Sequence, residues 1–266
     1  MIGISRRQFA IGTGALFAGC TLLPWQASGQ DLLAEFVANG RVLDVLSGDR
    51  FVLEDGRKVR LAGIEAPRMA FADAAAQPLF ATAKTYLQNL LIGKEVIFSD
   101  PAPDRFGRLR AHVLLQDGQI WVQGQMLAQG LARVRTWNDD QKRAGEMLAL
   151  ENTARSQKTG IWARGFYAVR SPDAVRAATG SYQIIAGEVV DASQSKKMIY
   201  LNFGSDWRRD FTAQTTKKTA KIFAKSGIVL AGLSGANIRV RGTIKYNNGP
   251  MLWLNHPAQL EILENS

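Results

Sequence analysis

From residue 36 to residue 67 the chain alternates short apolar runs with turn signals. Val37, Val42, Val45 and Leu46 are the apolar positions of an opening strand from Phe36 to Leu46. Ser47-Gly48-Asp49 reads as a turn, Phe51-Val52-Leu53 as a second strand, and Glu54-Asp55-Gly56-Arg57 as a tight hairpin. Val59, Leu61 and Gly63 then alternate with Arg60 and Ala62, the period of a half-buried strand. Pro67 closes the run, because proline has no amide hydrogen to give to a sheet ladder. Asp49, Arg60 and Glu65 thus fall at strand ends or turns, where their charges can converge on one small anion or metal site.

Next comes a helical period. Leu79, Ala83, Tyr86, Leu87, Leu90 and Leu91 recur at helical spacing within the alanine-rich stretch from Ala70 to Leu91. Pro78 marks the helix start and Gly93 its end. Glu95 to Phe98 and Leu109 to Leu115 read as strands around a loop, and Asp117-Gly118 turns the second towards Gln119-Ile120-Trp121. His112 alternates on an apolar strand and reads as a packed core residue. Val122 to Gln129 and Asp139 to Lys158 read as helices, stopped by Gly130 and by Thr159-Gly160. This order predicts a five-stranded barrel with surface helices, as in an oligonucleotide-binding (OB) fold, over residues 36–165.

Residues 166–180 lack a strand pattern and read as a linker, and strands resume over residues 181–264. Tyr182 to Val190 reads as one strand bent at Gly187, Ser193 to Lys197 as a polar turn, and Met198 to Phe203 as an alternating strand. Thr215 to Lys225 reads as a basic amphipathic helix, with Ala220, Phe223 and Ala224 inward and four lysines outward. Ile238, Val240 and Gly242 alternate with Arg239 and Arg241. Asn247-Asn248-Gly249 is a hairpin turn, and Leu252 to Leu254 and Leu260 to Leu263 complete the set. Five strands with a helix before the fourth predict a second OB-like barrel, so the whole chain is mainly β with surface helices (α+β). Trp207, Arg208, Arg209, Arg239, Arg241 and Trp253 are its candidate nucleic-acid-binding residues, aromatic for stacking and basic for phosphate. The competing reading places the aromatics in the core and leaves the charges to solvate the faces.

Charge narrows the partners. With 33 Lys and Arg against 23 Asp and Glu, the formal net charge is +10, which favours nucleic acid or an anionic membrane surface. The first 29 residues read as an export signal rather than as fold. Ser5-Arg6-Arg7-Gln8-Phe9 resembles a twin-arginine export motif, and the apolar stretch from Ala10 to Leu23 is too short for a stable span. Ala27-Ser28-Gly29 supplies small residues for cleavage, with a periplasmic or secreted destination. Phe17-Ala18-Gly19-Cys20 offers the alternative of a lipoprotein anchored to the membrane through Cys20. Cys20 is the sole cysteine, so disulfides and cysteine-based zinc sites are excluded from the mature chain.

Five segments together resemble the staphylococcal nuclease (thermonuclease) family. They are Gly48-Asp49, the run from Val59-Arg60-Leu61 to Glu65-Ala66-Pro67, Asp104 to Arg108, Gln129 to Val134, and Gly160-Ile161-Trp162. The resemblance implies phosphodiester hydrolysis of DNA or RNA assisted by a calcium ion. Position by position, it implies metal ligation by Asp49, Glu65 and the Ala66 carbonyl, and phosphate binding by Arg60 and Arg108. It places the water-activating glutamate at the position of Arg68, where this chain carries the opposite charge. An arginine cannot accept a proton at any working pH, and it can pair with Glu65 three residues earlier, weakening calcium binding. The expectations are an exported, calcium-dependent nuclease with a degenerate base position, favouring single strands. The alternative is a non-catalytic nucleic-acid-binding or envelope scaffold protein on the same fold.

Processing is directly testable. Mass spectrometry of the exported protein is expected to show an N-terminus at Gln30. A lipid-modified Cys20 at the N-terminus would overturn that expectation.

Overall fold

The computed structural model describes residues 36–72, 74–116, 120–206 and 208–263. The predicted export signal, Asp73 (the one carboxylate between Met69 and Gln77, and the candidate to replace the missing base), the Asp117-Gly118 turn and Trp207 lie outside the described residues. Five strands close into a barrel: β1 (Phe36–Ser47), β2 (Arg50–Leu53), β3 (Lys58–Leu61), β5 (Glu95–Pro103) and β6 (Leu109–Leu115). Their spatial order is β1-β2-β3-β6-β5, with β3 and β6 parallel and the other neighbours antiparallel. Two-residue strands β4 (Ile64–Glu65) and β7 (Arg133–Val134) pair beside the barrel, with Glu65 opposite Arg133.

Alternation decides what each strand buries. Phe51 and Leu53 of β2 and Val59 and Leu61 of β3 face the core, which leaves Arg50 and Arg60 on the other face. Helix α1 (Phe80–Leu91) covers the barrel through Ala83, Leu87 and Leu91, an i, i+4, i+8 stripe. It begins after Pro78 and Leu79, and the alanine-rich stretch before them is not helical. Helices α2 (Val122–Ala128) and α3 (Ala144–Ser156) follow. The start of α3 falls five residues after the predicted Asp139. Trp137 and Asp140 form a bridge there, and the buried Asp140 carboxylate faces His112 Nε2 at 3.5 Å. Gly130 and Gly160 touch backbone to backbone, both at positive φ, and a Cβ on Gly130 would come within 2.2 Å of the Thr159 carbonyl. That contact draws the end of α3 against the entry to β7.

The second half does not repeat the barrel closure. Strands β8 (Tyr182–Glu188), β12 (Asn237–Thr243) and β15 (Leu260–Ile262) form one sheet. A second sheet contains β9 (Asp191–Gln194), β10 (Met198–Asn202), β11 (Thr212–Thr216), β13 (Lys245–Tyr246) and β14 (Pro250–Trp253). The chain changes sheet at Val189-Val190 and again at Ile244, where one continuous strand or a single turn was expected. β9 carries Asp-Ala-Ser-Gln, too polar to announce a strand by alternation. The two sheets share one core that includes Ile185, Leu201, Phe211, Val240 and Leu252. Helix α4 (Lys217–Lys225) adds Phe223 to that core, but Ala224 is exposed. Thr216 caps the helix by accepting the Thr219 amide at 3.1 Å. Among the described residues no helix is long and apolar enough to cross a membrane.

Charge joins the halves. Arg241 of β12 and Glu151 of α3 are both fully buried and meet at 2.9 Å. Glu151 also accepts from Arg155 at 3.2 Å and from the Val134 amide at 2.5 Å. Arg241 and Arg239 both reach Glu261, at 2.5 and 3.2 Å. Arg239 and Arg241, expected on a phosphate-binding face, are instead spent on this junction, because the outward face of β12 is covered by α3.

Breaking a buried pair by removing one partner leaves an uncompensated charge. Arg241→Ala is expected to cost about 3–5 kcal/mol. Arg209→Ala, at an exposed side chain, is expected to stay within about 0.5 kcal/mol. Urea unfolding of the two variants checks this, and equal midpoints would contradict it.

Candidate active site

Asp49, Arg60, Glu65, Ala66, Arg68 and Arg108 all line one cleft of about 390 Å³ on the open side of the barrel. The fold brings them there by simple means. The β1–β2 turn supplies Asp49, and the outward face of β3 supplies Arg60. β4 and the Pro67 turn supply Glu65, Ala66 and Arg68, and the loop between β5 and β6 supplies Arg108. Asp49 is nearly buried and accepts the Ser47 hydroxyl at 2.7 Å, with Arg50 Nε at 3.5 Å. Asp104 holds Arg108 Nε at 2.7 Å and accepts the Phe106 and Arg108 amides.

Glu65 is the most constrained group. Its Oε1 accepts from Arg68 and, at 2.5 Å, from Arg135. Its Oε2 accepts from Arg133 at 3.2 and 3.0 Å. Burial pushes the Glu65 pKa up, but Arg133, Arg135 and Arg68 outweigh it and hold the carboxyl down at about 2. The Glu65–Arg68 contact expected from their spacing forms, within a larger cluster. Neither Arg133 nor Arg135 was singled out from the sequence as a site residue. Their signal was the i, i+2 spacing across Val134, which in extended chain puts both side chains on one side.

Six arginines line the cleft against two carboxylates, Asp49 and Glu65. Burial lowers the Arg60 pKa below its ordinary value; Asp49 opposes this, and the guanidinium groups of Arg108 and Arg135 lower it further. Arg60 and Arg135 also lie over the Trp137 ring, 5.9 and 5.2 Å from its centre. The lining of the cleft is predominantly positive. The candidate nucleic-acid residues of the second half do not gather into such a lining. Arg208 and Arg209 lie in the β10–β11 loop, Arg209 against Asp206 at 3.8 Å, and Trp253 is half-buried on β14.

A closed five-stranded barrel with surface helices is an oligonucleotide-binding (OB) type of fold, and here an arginine-lined cleft opens at its side. Residues 58–164 match the family described as staphylococcal nuclease homologue. An "uncharacterized endonuclease" of Escherichia coli is 33% identical over 128 residues, 47% of this chain and 76% of that protein. The "probable endonuclease LCL3" of Saccharomyces cerevisiae is 36% identical over 115 residues, 39% of this chain and 40% of that protein. The chain belongs to the staphylococcal nuclease family.

That family is generally calcium-dependent. The donor set of this chain does not fit the ion. Calcium takes about 6–8 oxygen ligands. Here both oxygens of Glu65 are engaged by three arginines, and the surrounding guanidinium groups repel a dication. Among the described residues no group of three or more His, Cys, Asp or Glu could hold a metal. Of the expected ligands Asp49, Glu65 and the Ala66 carbonyl, Glu65 thus offers no carboxylate oxygen that is not already paired with arginine.

The depressed Glu65 pKa sets a pH dependence. The folded value lies below the unfolded value near 4.5, so its contribution to stability is present above about pH 4.5. It is lost as the pH falls to about 2. The linkage amounts to about 3 kcal/mol. Glu65→Gln is expected to be less stable than the parent by about that amount at pH 7 and equal to it near pH 2. Urea midpoints across that range check it, and parallel curves would sink the assignment.

Proposed function

We propose that the cleft binds the phosphodiester backbone of DNA or RNA, on a nuclease fold whose hydrolytic step lacks its water-activating carboxylate. The observation that carries this reading is the imbalance of six arginines against two carboxylates, one of them already neutralised by three guanidinium groups. A phosphodiester brings the charge and the paired acceptor oxygens that guanidinium forks match. Arg60 and Arg108 hold the phosphate, and their charge opposes the charge that develops on the phosphoryl oxygens as a nucleophile attacks.

Arg68 stands at the position the family gives to its base, and it donates to Glu65 instead of accepting from water. Loss of a general base costs about 10²- to 10⁴-fold in rate. Binding therefore outlasts catalysis, and hydrolysis is slow. Calcium dependence is not part of the proposal, because the donor set does not support it. Export is, and its support is Arg6-Arg7 followed by the apolar stretch.

Arg68→Glu restores a carboxylate at the base position. It is expected to raise cleavage of a single-stranded oligonucleotide by about 10-fold or more. Rates are measured with and without added calcium, with Arg60→Ala as the control for contaminating nuclease. Vigorous cleavage by the parent protein, unchanged in Arg68→Glu, would show that the base lies elsewhere.

A further inference from the structure

The arginine cleft continues beyond the barrel. Arg135 and Trp137 line it, and the same two residues line a second cavity of about 330 Å³ between the barrel and the second half. That cavity is walled on its far side by Lys245, Trp253 and Asn255. We propose that this groove carries the continuation of a single nucleic-acid strand whose phosphodiester sits in the cleft. The inference rests on the cleft reading and extends it to a second, separately testable surface.

Three features of the groove point to that ligand. The first is charge: Arg135 and Lys245 line it, and among the described residues no carboxylate does. The second is aromatic surface. Trp137 is 39% exposed, and Trp253 is half-buried across the groove. Unpaired bases present open faces to such rings, whereas a duplex hides them, so the pair selects a single strand. The third is unmet polar capacity. Thr136 Oγ1 and His256 Nδ1 belong to side chains that line the groove and are more than nine-tenths buried, and neither atom has a hydrogen-bond partner. Base edges and sugar hydroxyls carry the donors and acceptors that such atoms match.

The path is continuous in chemistry as well as space. Arg135 reaches Glu65 at 2.5 Å on the cleft side, and Tyr182 lies 4.9 Å from its guanidinium on the groove side. A strand bound at Arg60 and Arg108 therefore meets Trp137 first and Lys245 and Trp253 later. Specificity for length follows: a dinucleotide occupies the cleft alone, and a longer strand reaches the groove.

The test is equilibrium binding of labelled oligonucleotides to the intact protein, using a dithymidylate, an octathymidylate, an octauridylate and a DNA hairpin. The parent is expected to bind both octanucleotides more tightly than the dinucleotide or the hairpin. Trp253→Ala and Lys245→Glu are each expected to weaken octanucleotide binding about 10-fold and to leave the dinucleotide within about 2-fold. Lys245 is exposed, so its variant keeps the core intact should Trp253→Ala fail to fold. Arg60→Ala is expected to weaken both lengths. Octanucleotide binding unchanged in Lys245→Glu, or no gain of affinity with length, would overturn the groove. Dinucleotide binding unchanged in Arg60→Ala, with octanucleotide binding still sensitive to Lys245, would overturn the cleft reading and leave the groove standing.

Discussion

The burial of Glu65 is the constraint on which both halves of the molecule depend. Removing a carboxylate from water costs several kcal/mol even after relaxation, so it must be matched by charge and hydrogen bonds. Arg133, Arg135 and Arg68 supply that match; Arg133 belongs to the short strand β7 and Arg135 directly follows it. β7 is therefore fixed by its neighbours on every side. The Val134 amide is taken by Glu151 at 2.5 Å and its carbonyl by the Tyr182 hydroxyl at 2.9 Å. The Tyr182 ring packs 4.8 and 4.9 Å from the guanidinium carbons of Arg133 and Arg135. Burial pushes the Tyr182 hydroxyl up to about 12, so it stays a donor at any ordinary pH.

The second half of the chain thus acts on the cleft through packing. Tyr182 opens β8 and Arg241 belongs to β12, neighbouring strands of one sheet that docks on α3 and β7. Burial lowers the Arg241 pKa, but Glu151 and Glu261 more than reverse this, so it stays charged. A junction built from matched charges demands one geometry, because a shifted sheet would leave Glu151 or Arg241 buried and unpaired. The same geometry puts Trp253 and Lys245 beside Trp137 and makes the groove.

The sequence carried the parts of this arrangement that are local. Gly48-Asp49, the alternation through Arg60, and Glu65-Ala66-Pro67 each announce a turn or strand end, and the cleft assembles from them. The first barrel was legible for the same reason, since alternation and turn residues lie within a few positions of each other. The long-range pairings were not. Nothing near Arg133 or Arg135 says that their partner lies 68 or 70 positions away. Arg239 and Arg241 alternate correctly with Ile238 and Val240, yet alternation reports only that they face away from one core. It cannot report that α3 covers that face with Glu151, a residue that reads as an ordinary mid-helix charge.

Arg60 and Arg108, to which the proposed function assigns the phosphate, are poised differently. Arg108 is already matched: Asp104 holds it at 2.7 Å, and the Phe106 ring lies 5.0 Å from its guanidinium carbon. Arg60 is not matched in this way; among the described residues it makes no ion pair, and its guanidinium lies over the Trp137 ring. Burial and the neighbouring guanidinium groups act against its charge, opposed at a distance by Asp49 and Glu65. An incoming phosphodiester therefore relieves repulsion at Arg60, whereas at Arg108 it must share the guanidinium with a carboxylate already bound. On the proposed reading, most of the electrostatic gain on binding would fall at Arg60, and Arg108, held by Asp104, would set where the phosphate sits. Trp137 lies under Arg60 and borders the groove, so of these two arginines Arg60 is the one beside the path proposed for the strand.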